Sequence, residues 1–468
     1  MNQAKELEDL YQIFLRRTEG IKPGLDRIHN AWHHLGPHHV PAVLIGGTNG
    51  KGSTSGFLWS LLSSVHCPSG LFTSPHLCNF YERIQVNHFK IDDSFLSTKL
   101  VELRAKLPRE IESNLSFFEI ATLLARLSFE ATKTQINIWE VGMGGRWDAT
   151  NINKPIASAI TSIDLDHEQW LGADIKAICS EKIEIARSHR PLFWGEQRDA
   201  INKLALPVVF AKRDEIAFNL VQAGKHFGIT GNNIWLSIPG LPEHTVKLPK
   251  WFAIRPKVLQ ENFAIAAAIF YYLVYEHQDF LTSTQNIQAE YVFQKGIDHF
   301  FAPDLPWPPS LLGRFQKMTV KSEESKLQHV LVDVCHNPAS AARLCESLKQ
   351  LSSQSLPKPA LVSMLADKDI NSMLDQLRTV LSPIVLFLNE SERSMRFEQL
   401  AERHQDLIQF PSFEKAWAHL AKTINPDTEL VLCGSIVAIG QILRKLDAKA
   451  HLREGECTLE GHFGKEGS

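Results

Sequence analysis

The chain has 468 residues, 44% of them hydrophobic, with 49 Lys and Arg against 52 Asp and Glu for a net charge of -3. That length allows two or three cores, and a near-neutral balance with no basic run interleaved with aromatics argues against a nucleic-acid partner. Seven scattered cysteines without a C-x-x-C pair support neither a disulfide framework nor a zinc ribbon, and the absence of a membrane-length apolar run argues against a membrane span; a soluble, cytoplasmic protein is expected.

In chain order, the opening "MNQAKELEDLYQIFLRR" is amphipathic and acidic and lacks the apolar stretch of an export signal. His29, His33, His34, His38 and His39 then crowd "IHNAWHHLGPHHV", but no cysteine or acid completes a ligand set at the usual spacing, so packed or solvated histidines are favoured over zinc. From "AVLIGG" onward, short β-rich runs alternate with segments of helical period: "STSGFLWSLLSSV", "SGLFTSP", "QINIWEVG" and "IASAITSID". Such alternation reads as β-α units on a parallel sheet. Between them "YERIQVNHFKID" alternates like a two-stranded ribbon. The prolines of "APDLPWPPS" mark a linker. After it, "HVLVDV", "KPALVSML", "PIVLFLN" and "TELVLCGS" alternate with helical segments, a second α/β domain. The polar, glycine-bearing end has too little apolar content to pack. The expected domains are therefore residues 1–303 and 304–447, followed by a disordered tail at 448–468.

One strand-to-helix junction carries a chemical signal. In "LIGGTNGKGST" an apolar strand runs into glycines, a lysine and a helix, the arrangement in which backbone N–H groups and a helix N-terminus surround phosphate oxygens. Gly47, Thr48, Asn49, Gly50 and Lys51 form the cradle, with Lys51 as the mobile positive charge. The hydroxyl that usually follows the lysine is replaced by Gly52, and Ser53 comes one place late. A ligand-free glycine-rich turn is the alternative. Bound nucleotide requires a divalent cation that takes a few protein oxygens. Glu140 ends an apolar strand, where parallel sheets present ligand groups, and Ser74 ends another and supplies a hydroxyl in place of the missing one. His167 also follows a strand end, with an ordinary loop histidine as the alternative.

These motifs occur together with "FTSPHL", "ERIQV", "FFE", "EVGMGGRWDATN", "SIDLDHEQWLG", "LGRFQ", "DVCHNP", "LADKD" and "CGS". In that order they resemble the folylpolyglutamate synthases and dihydrofolate synthases of the Mur ligase superfamily. The resemblance covers nearly the whole chain except the tail. It implies an α/β fold with an N-terminal P-loop ATPase-like domain on a mainly parallel sheet and a smaller C-terminal Rossmann-like domain. It also implies an ATP-dependent amide ligase, in which a carboxylate takes the γ-phosphate of ATP and the amine of L-glutamate displaces phosphate from the acyl phosphate. Phosphate makes the carboxylate oxygen a good leaving group, and the protein mainly positions and neutralises charge.

By the same resemblance, the stretch from Thr48 to Ser53 holds ATP phosphates, Ser74, Glu140 and His167 bind Mg2+, and a monovalent cation is allowed. Asn262, Arg314, Asp333 and His336 reach the nucleotide, the last three from the C-terminal side of an interdomain cleft. Lys51, Lys182 and His167 are the expected catalytic residues. Lys182 occupies the place of a carbamylated lysine, yet Ile183 and Glu184 stand where the family carries Ala and Gly, which leaves open a surface lysine on a charged helix. "SFFE" (Ser116, Phe117, Phe118, Glu119) and "WDA" (Trp147, Asp148, Ala149) match pterin-lining segments of bifunctional bacterial members, with core packing as the alternative for Phe117 and Phe118. The expected substrates are dihydropteroate, reduced folates and L-glutamate, acted on by a monomer. The competing readings are a monofunctional folylpolyglutamate synthase, a murein-precursor ligase, which Gly52 argues against, and an inactive or regulatory nucleotide-binding protein, which lacks the N-K-x-D of a guanine site.

Overall fold

The computed structural model describes residues 23–278, 288–302, 312–321, 327–352, 356–425, 427–445, 449–453 and 456–462. The opening segment and the boundary expected at 303/304 lie outside the described residues. The chain divides into two units, Met1–Pro249 with Leu259–Ser310, and Lys250–Val258 with Leu311–Ser468.

In the first unit β1 (Ala42–Gly46) runs into α1 (Lys51–Ser64), followed by β2 (Ser69–Phe72), β3 (Ile84–Val86), α2 (Phe117–Ala131), β4 (Ile136–Glu140), β5 (Pro155–Ile160), α3 (Ile175–Lys182), β6 (Pro191–Trp194) and β7 (Asn219–Gln222). Among the described residues the sheet has the order β3-β2-β4-β1-β5-β6-β7 and is parallel except for the β2–β3 pair. The central strands β1, β4 and β5 are buried on both faces, which explains their mostly apolar sequences, whereas β7 at the edge is partly exposed. β1 lies between β4 and β5, with Ile45 beside Glu140 and Gly46 beside Ile160. The order of connection reverses there, and in such sheets the crevice beyond the strand ends is where ligands bind. The expected two-stranded ribbon is instead a 3-10 turn (Phe80–Arg83) leading into β3, which pairs antiparallel with β2 at the sheet edge. The alternation in "ERIQV" belongs to that one edge strand, whose last residue, Val86, pairs with Gly70 and also bridges to Phe89.

Aromatic side chains cover one face of the sheet: Trp139 packs on Phe72 and Phe129, and all three are fully buried. Each such side chain contributes roughly 1.5–3 kcal/mol by burial. Arg126, also fully buried, is neutralised by Glu130 and donates to the carbonyls of Trp32, Leu35 and Gly36, while His38 meets the same Glu130 through Nδ1 at 2.9 Å. A small antiparallel sheet follows, in the order β10 (His244–Lys247), β9 (Asn233–Leu236), β8 (Phe227–Thr230).

α4 (Lys257–Glu276) is the one helix among the described residues long and apolar enough to cross a membrane, but its apolar length is packed inside the protein. Phe263 contacts Phe57 of α1 and Phe300 of α5 (Ala289–Phe300). Gly296 lets α5 approach closely: a Cβ there would lie 2.7 Å from the Phe270 ring, and its carbonyl accepts from Ser64 Oγ at 2.8 Å. The helix that follows the glycine-rich loop is thereby held from behind as well as by β1.

The second unit has β11 (Gln316–Lys321), β12 (Leu327–Asp333), α6 (Pro338–Ser352), β13 (Lys358–Ser363), β14 (Leu381–Phe387), β15 (Ile408–Phe410), β16 (Leu430–Gly434), β17 (Lys449–Arg453) and β18 (Glu456–His462). The sheet order is β15-β14-β13-β16-β12-β11-β18-β17, parallel from β15 to β12 and antiparallel between β11 and β12. The tail expected to be disordered from 448 is thus corrected over these residues: β17 and β18 form an antiparallel pair, and β18 adds in parallel to β11. Its apolar residues are few but alternate, and the register sets Ala450 opposite Leu459 and Leu452 opposite Cys457. Backbone pairing along an open strand edge needs little apolar content.

Candidate functional site

Glycine geometry shapes the loop after β1. Gly47 has φ 138°, and a Cβ there would lie 2.0 Å from Thr161 Oγ1; Gly50 has φ 90°, and a Cβ would lie 2.4 Å from Asn262 Oδ1. Gly47 therefore disfavours other residues by conformation and by space, and Gly50 by conformation, its near neighbour being the Asn262 side chain. The loop is anchored to the segment leaving β5. Thr48 N donates to Ser162 O at 2.6 Å, Asn49 N to Ser162 Oγ at 3.1 Å, Thr161 Oγ1 to Asn49 O at 2.7 Å, and Asp164 N to Thr48 Oγ1 at 3.0 Å. Gly50 forms the N-terminal cap of α1, so the first amides of that helix face the loop, the geometry that attracts anions. Ser53 is buried within the helix.

Two lysines converge on one loop carbonyl. Lys51 Nζ donates to Gly47 O at 3.2 Å and Thr48 O at 3.1 Å, and Lys182 Nζ donates to Gly47 O at 2.9 Å. An anion in the loop would offer Lys51 a partner of complementary charge in place of these carbonyl oxygens. Lys182 is buried, which corrects the alternative of a surface lysine. Burial, then the neighbouring Lys51 charge, brings its ammonium down to about 7, so near neutrality a large share of it is the free amine. The departure after Lys182 is absorbed locally. Ile183 is buried in the core, and Glu184 turns to Arg146 at 3.0 Å and Lys212 at 3.1 Å.

At the end of β4, the buried Glu140 accepts from the backbone N–H of Ser74 at 2.9 Å, so two of the three residues expected to bind metal are in contact. A buried carboxylate beside the end of β1 suits a hard cation that takes oxygen ligands. His167 lies on a left-handed turn (φ 53°) at the start of the short helix Glu168–Leu171, with its side chain 41% exposed and its Nε2 3.9 Å from Asp166 Oδ2. Among the described residues no three His, Cys, Asp or Glu side chains converge on a metal-sized site.

The aromatic stretch divides. Ser116 caps α2, accepting from Glu119 N while its own N–H donates to Glu119 Oε2 at 2.7 Å, and Glu119 also pairs with Arg27. Phe117 is buried against Phe80 and Arg83. Phe118 is partly buried and approaches Gly142, as does Asp148. Asp148 accepts from Met143 N at 3.0 Å and from Thr150, and burial pushes its carboxyl upward. Trp147 is 53% exposed, whereas Ala149 belongs to the core.

In the second unit Asp333, at the end of β12, accepts from Phe315 N at 2.9 Å. Burial pushes its carboxyl up to about 6 against the opposing Arg314 charge. His336 N–H donates to Ser340 Oγ at 3.0 Å at the start of α6. Arg314, Asp333 and His336 thus gather at one end of that sheet.

Thr161, Ser162 and Gln197 hold the loop but were not among the expected residues; the hydroxyl pair "TS" immediately after β5 was the available signal.

Residues 313–436 match the family model described as Mur ligase, glutamate ligase domain. The chain is 30% identical over 442 residues to the dihydrofolate synthase/folylpolyglutamate synthase of Escherichia coli K12, covering 92% of this chain and 93% of that protein. It is 28% identical over 403 residues to the Mycobacterium tuberculosis protein of the same name, covering 81% and 77%. Among solved structures, a bifunctional folylpolyglutamate synthase/dihydrofolate synthase of Yersinia pestis complexed with AMPPNP and Mn ion superposes with a TM-score of 0.74 at 26% identity, over 95% of this chain and 98% of that one. E. coli FolC in complex with DHPP and ADP gives the same TM-score and identity over 94% and 97%.

Proposed function

The chain belongs to the dihydrofolate synthase/folylpolyglutamate synthase family of Mur ligases, ATP-dependent glutamate ligases, and on that premise we propose that it joins L-glutamate both to dihydropteroate and to the γ-carboxylate of reduced folates. The observation that carries this reading is the loop from Gly47 to Lys51, held at the reversal point of the first sheet in a chain alike to such enzymes over nearly its full length.

In this reading ATP phosphates take the place of the Gly47 and Thr48 carbonyls as partners of Lys51, while the loop amides and the start of α1 receive the remaining charge. Asn262 lies over Gly50 and borders the same nucleotide. Ser74, Glu140 and His167 hold Mg2+, which neutralises the phosphates as the γ-phosphoryl moves to the substrate carboxylate. Lys182, with much of its amine uncharged near pH 7, meets the condition for carbamylation, since only a neutral amine attacks carbon dioxide. Attack by the glutamate amine on the acyl phosphate then forms the amide and releases phosphate. Phe118, Trp147 and Asp148 are the residues read as meeting the pterin, with Phe117 and Ala149 supporting them from the core. Arg314, Asp333 and His336 are read as the second unit's contribution to nucleotide contacts.

Phosphate release is measured with ATP, Mg2+ and L-glutamate, giving dihydropteroate in one arm and a reduced folate in the other. Release in both arms is expected. Release with the folate alone makes the enzyme a monofunctional folylpolyglutamate synthase, and release in neither overturns the ligase reading.

A further inference from the structure

The phosphate loop does not hold its own shape. Gly47 and Gly50 give it backbone freedom, and the restraint comes from outside: Gly46, Thr48 and Asn49 are bonded to Thr161, Ser162 and Asp164. That segment lies beyond β5, whose strand ends at Ile160. A third segment holds it. The buried Gln197 accepts from Ile163 N at 2.7 Å through Oε1 and donates through Nε2 to Thr161 O at 3.2 Å and Gly195 O at 3.1 Å. Gly195 is pressed against the same place, because a Cβ there would lie 2.3 Å from Thr161 O. Next in sequence, Arg198 pairs with Asp164.

We propose that Gln197 and Thr161 are positioning residues for ATP: Gln197 fixes the segment leaving β5, and Thr161 transmits that restraint to the loop through its hydroxyl bond to Asn49 O. Neither is assigned a contact with substrate. Their effect is on preorganisation, because a cradle of backbone amides binds phosphate best when its geometry is set before the ligand arrives. Gln suits the position because a buried amide side chain both accepts and donates, and the two faces of this turn present one N–H and two carbonyls. A carboxylate of the same size would meet those carbonyls with lone pairs alone.

The inference rests on the reading of the loop as an ATP site, so it is tested by calorimetric titration of ATP with Mg2+ in the absence of folate and glutamate, beside steady-state kinetics. Gln197→Glu is expected to weaken ATP binding and raise the KM for ATP about tenfold, the order set by one buried anchor left unsatisfied. The KM for glutamate should stay within about twofold, since the lost restraint concerns nucleotide binding alone. Thr161→Val should reproduce the defect, and Thr161→Ser, which keeps the hydroxyl, should restore affinity. Wild-type ATP affinity in Gln197→Glu overturns the proposal, as does Thr161→Ser binding as weakly as Thr161→Val. If Gln197→Glu fails to fold, the two Thr161 variants decide alone. Wild-type protein that binds ATP but turns over neither folate substrate would refute the ligase reading and leave this inference standing.

Discussion

Between Gly47 and Gly50 the side chains are small and the anchors are backbone groups, with the Thr48 hydroxyl, bonded to Thr161, Ser162 and Asp164, whereas from Ser116 to Glu119 and from Trp147 to Ala149 the side chains are large or buried and divide between core and surface. The loop works as one object: both glycines take conformations that other residues rarely adopt, and Gly47 also fills a volume with no room for a Cβ, so every part depends on the rest. The aromatic stretch is an assembly of separable parts, in which Phe117 and Ala149 serve packing while Trp147 stays exposed. A site made of backbone should fail as a whole, and a site made of side chains should fail one property at a time.

The largest effect is expected from Lys51→Ala, which removes the mobile charge of the loop. Phosphate release should fall by at least about a thousandfold, in line with losing a principal source of transition-state charge stabilisation. Retained turnover would mean that the loop is not the phosphate cradle. Gly47→Ala should come next, because its Cβ would meet Thr161 Oγ1 in a left-handed conformation. A cost of about 3 kcal/mol, or roughly a hundredfold in ATP affinity measured by titration, follows from strain of this kind. Wild-type affinity would show that the loop deforms more freely than its packing implies.

The aromatic stretch should separate where the loop does not. Phe117→Ala should lower unfolding stability by about 3 kcal/mol in denaturant, as for a buried aromatic removed from a core. Trp147→Ala should leave the denaturation midpoint unchanged and raise the KM for dihydropteroate about tenfold, a loss of binding without loss of fold. Equal stability losses in both variants would erase the distinction.

The remaining effect is read through pH and concerns Lys182 beneath the loop. Its folded-state value near 7 lies below the ordinary 10.5, so between those values the unfolded chain holds a proton that the folded chain has released. Stability therefore rises as pH climbs from about 7 toward 10, and the destabilisation from burying the charge is complete below 7. Lys182→Met should flatten this rise in apparent Tm; an unchanged slope would assign it to another group.

How much could be read beforehand follows the same division. The β-α alternation, the glycine loop and an acid at the end of β4 are local patterns, and each was legible because a strand, a turn and a strand end are specified by neighbouring residues. Thr161, Ser162 and Gln197 were not, because a buried hydroxyl or amide has no periodic signature and its partners are distant in sequence. Phe117 and Phe118 are neighbours of the same type, and only packing tells which one lies against Phe80 and which approaches Gly142. Ile183 and Glu184 looked disruptive in sequence, but a core cavity for the first and two cations for the second cannot be inferred from adjacency. The antiparallel pair of β17 and β18 has little apolar content, and only its alternation carries the signal.

Asn49 and the Ser162 hydroxyl that holds it are 113 residues apart along the chain. The loop is therefore shaped by contacts distant in sequence, although its motif spans only a few residues. During synthesis, a nascent chain would carry the complete motif long before it carried the segment that shapes it, and nucleotide would have nothing to recognise in the interval. For the same reason the motif is not a portable module: grafted onto a foreign strand and helix without the hydroxyls that follow β5, it would carry its letters and lose its affinity.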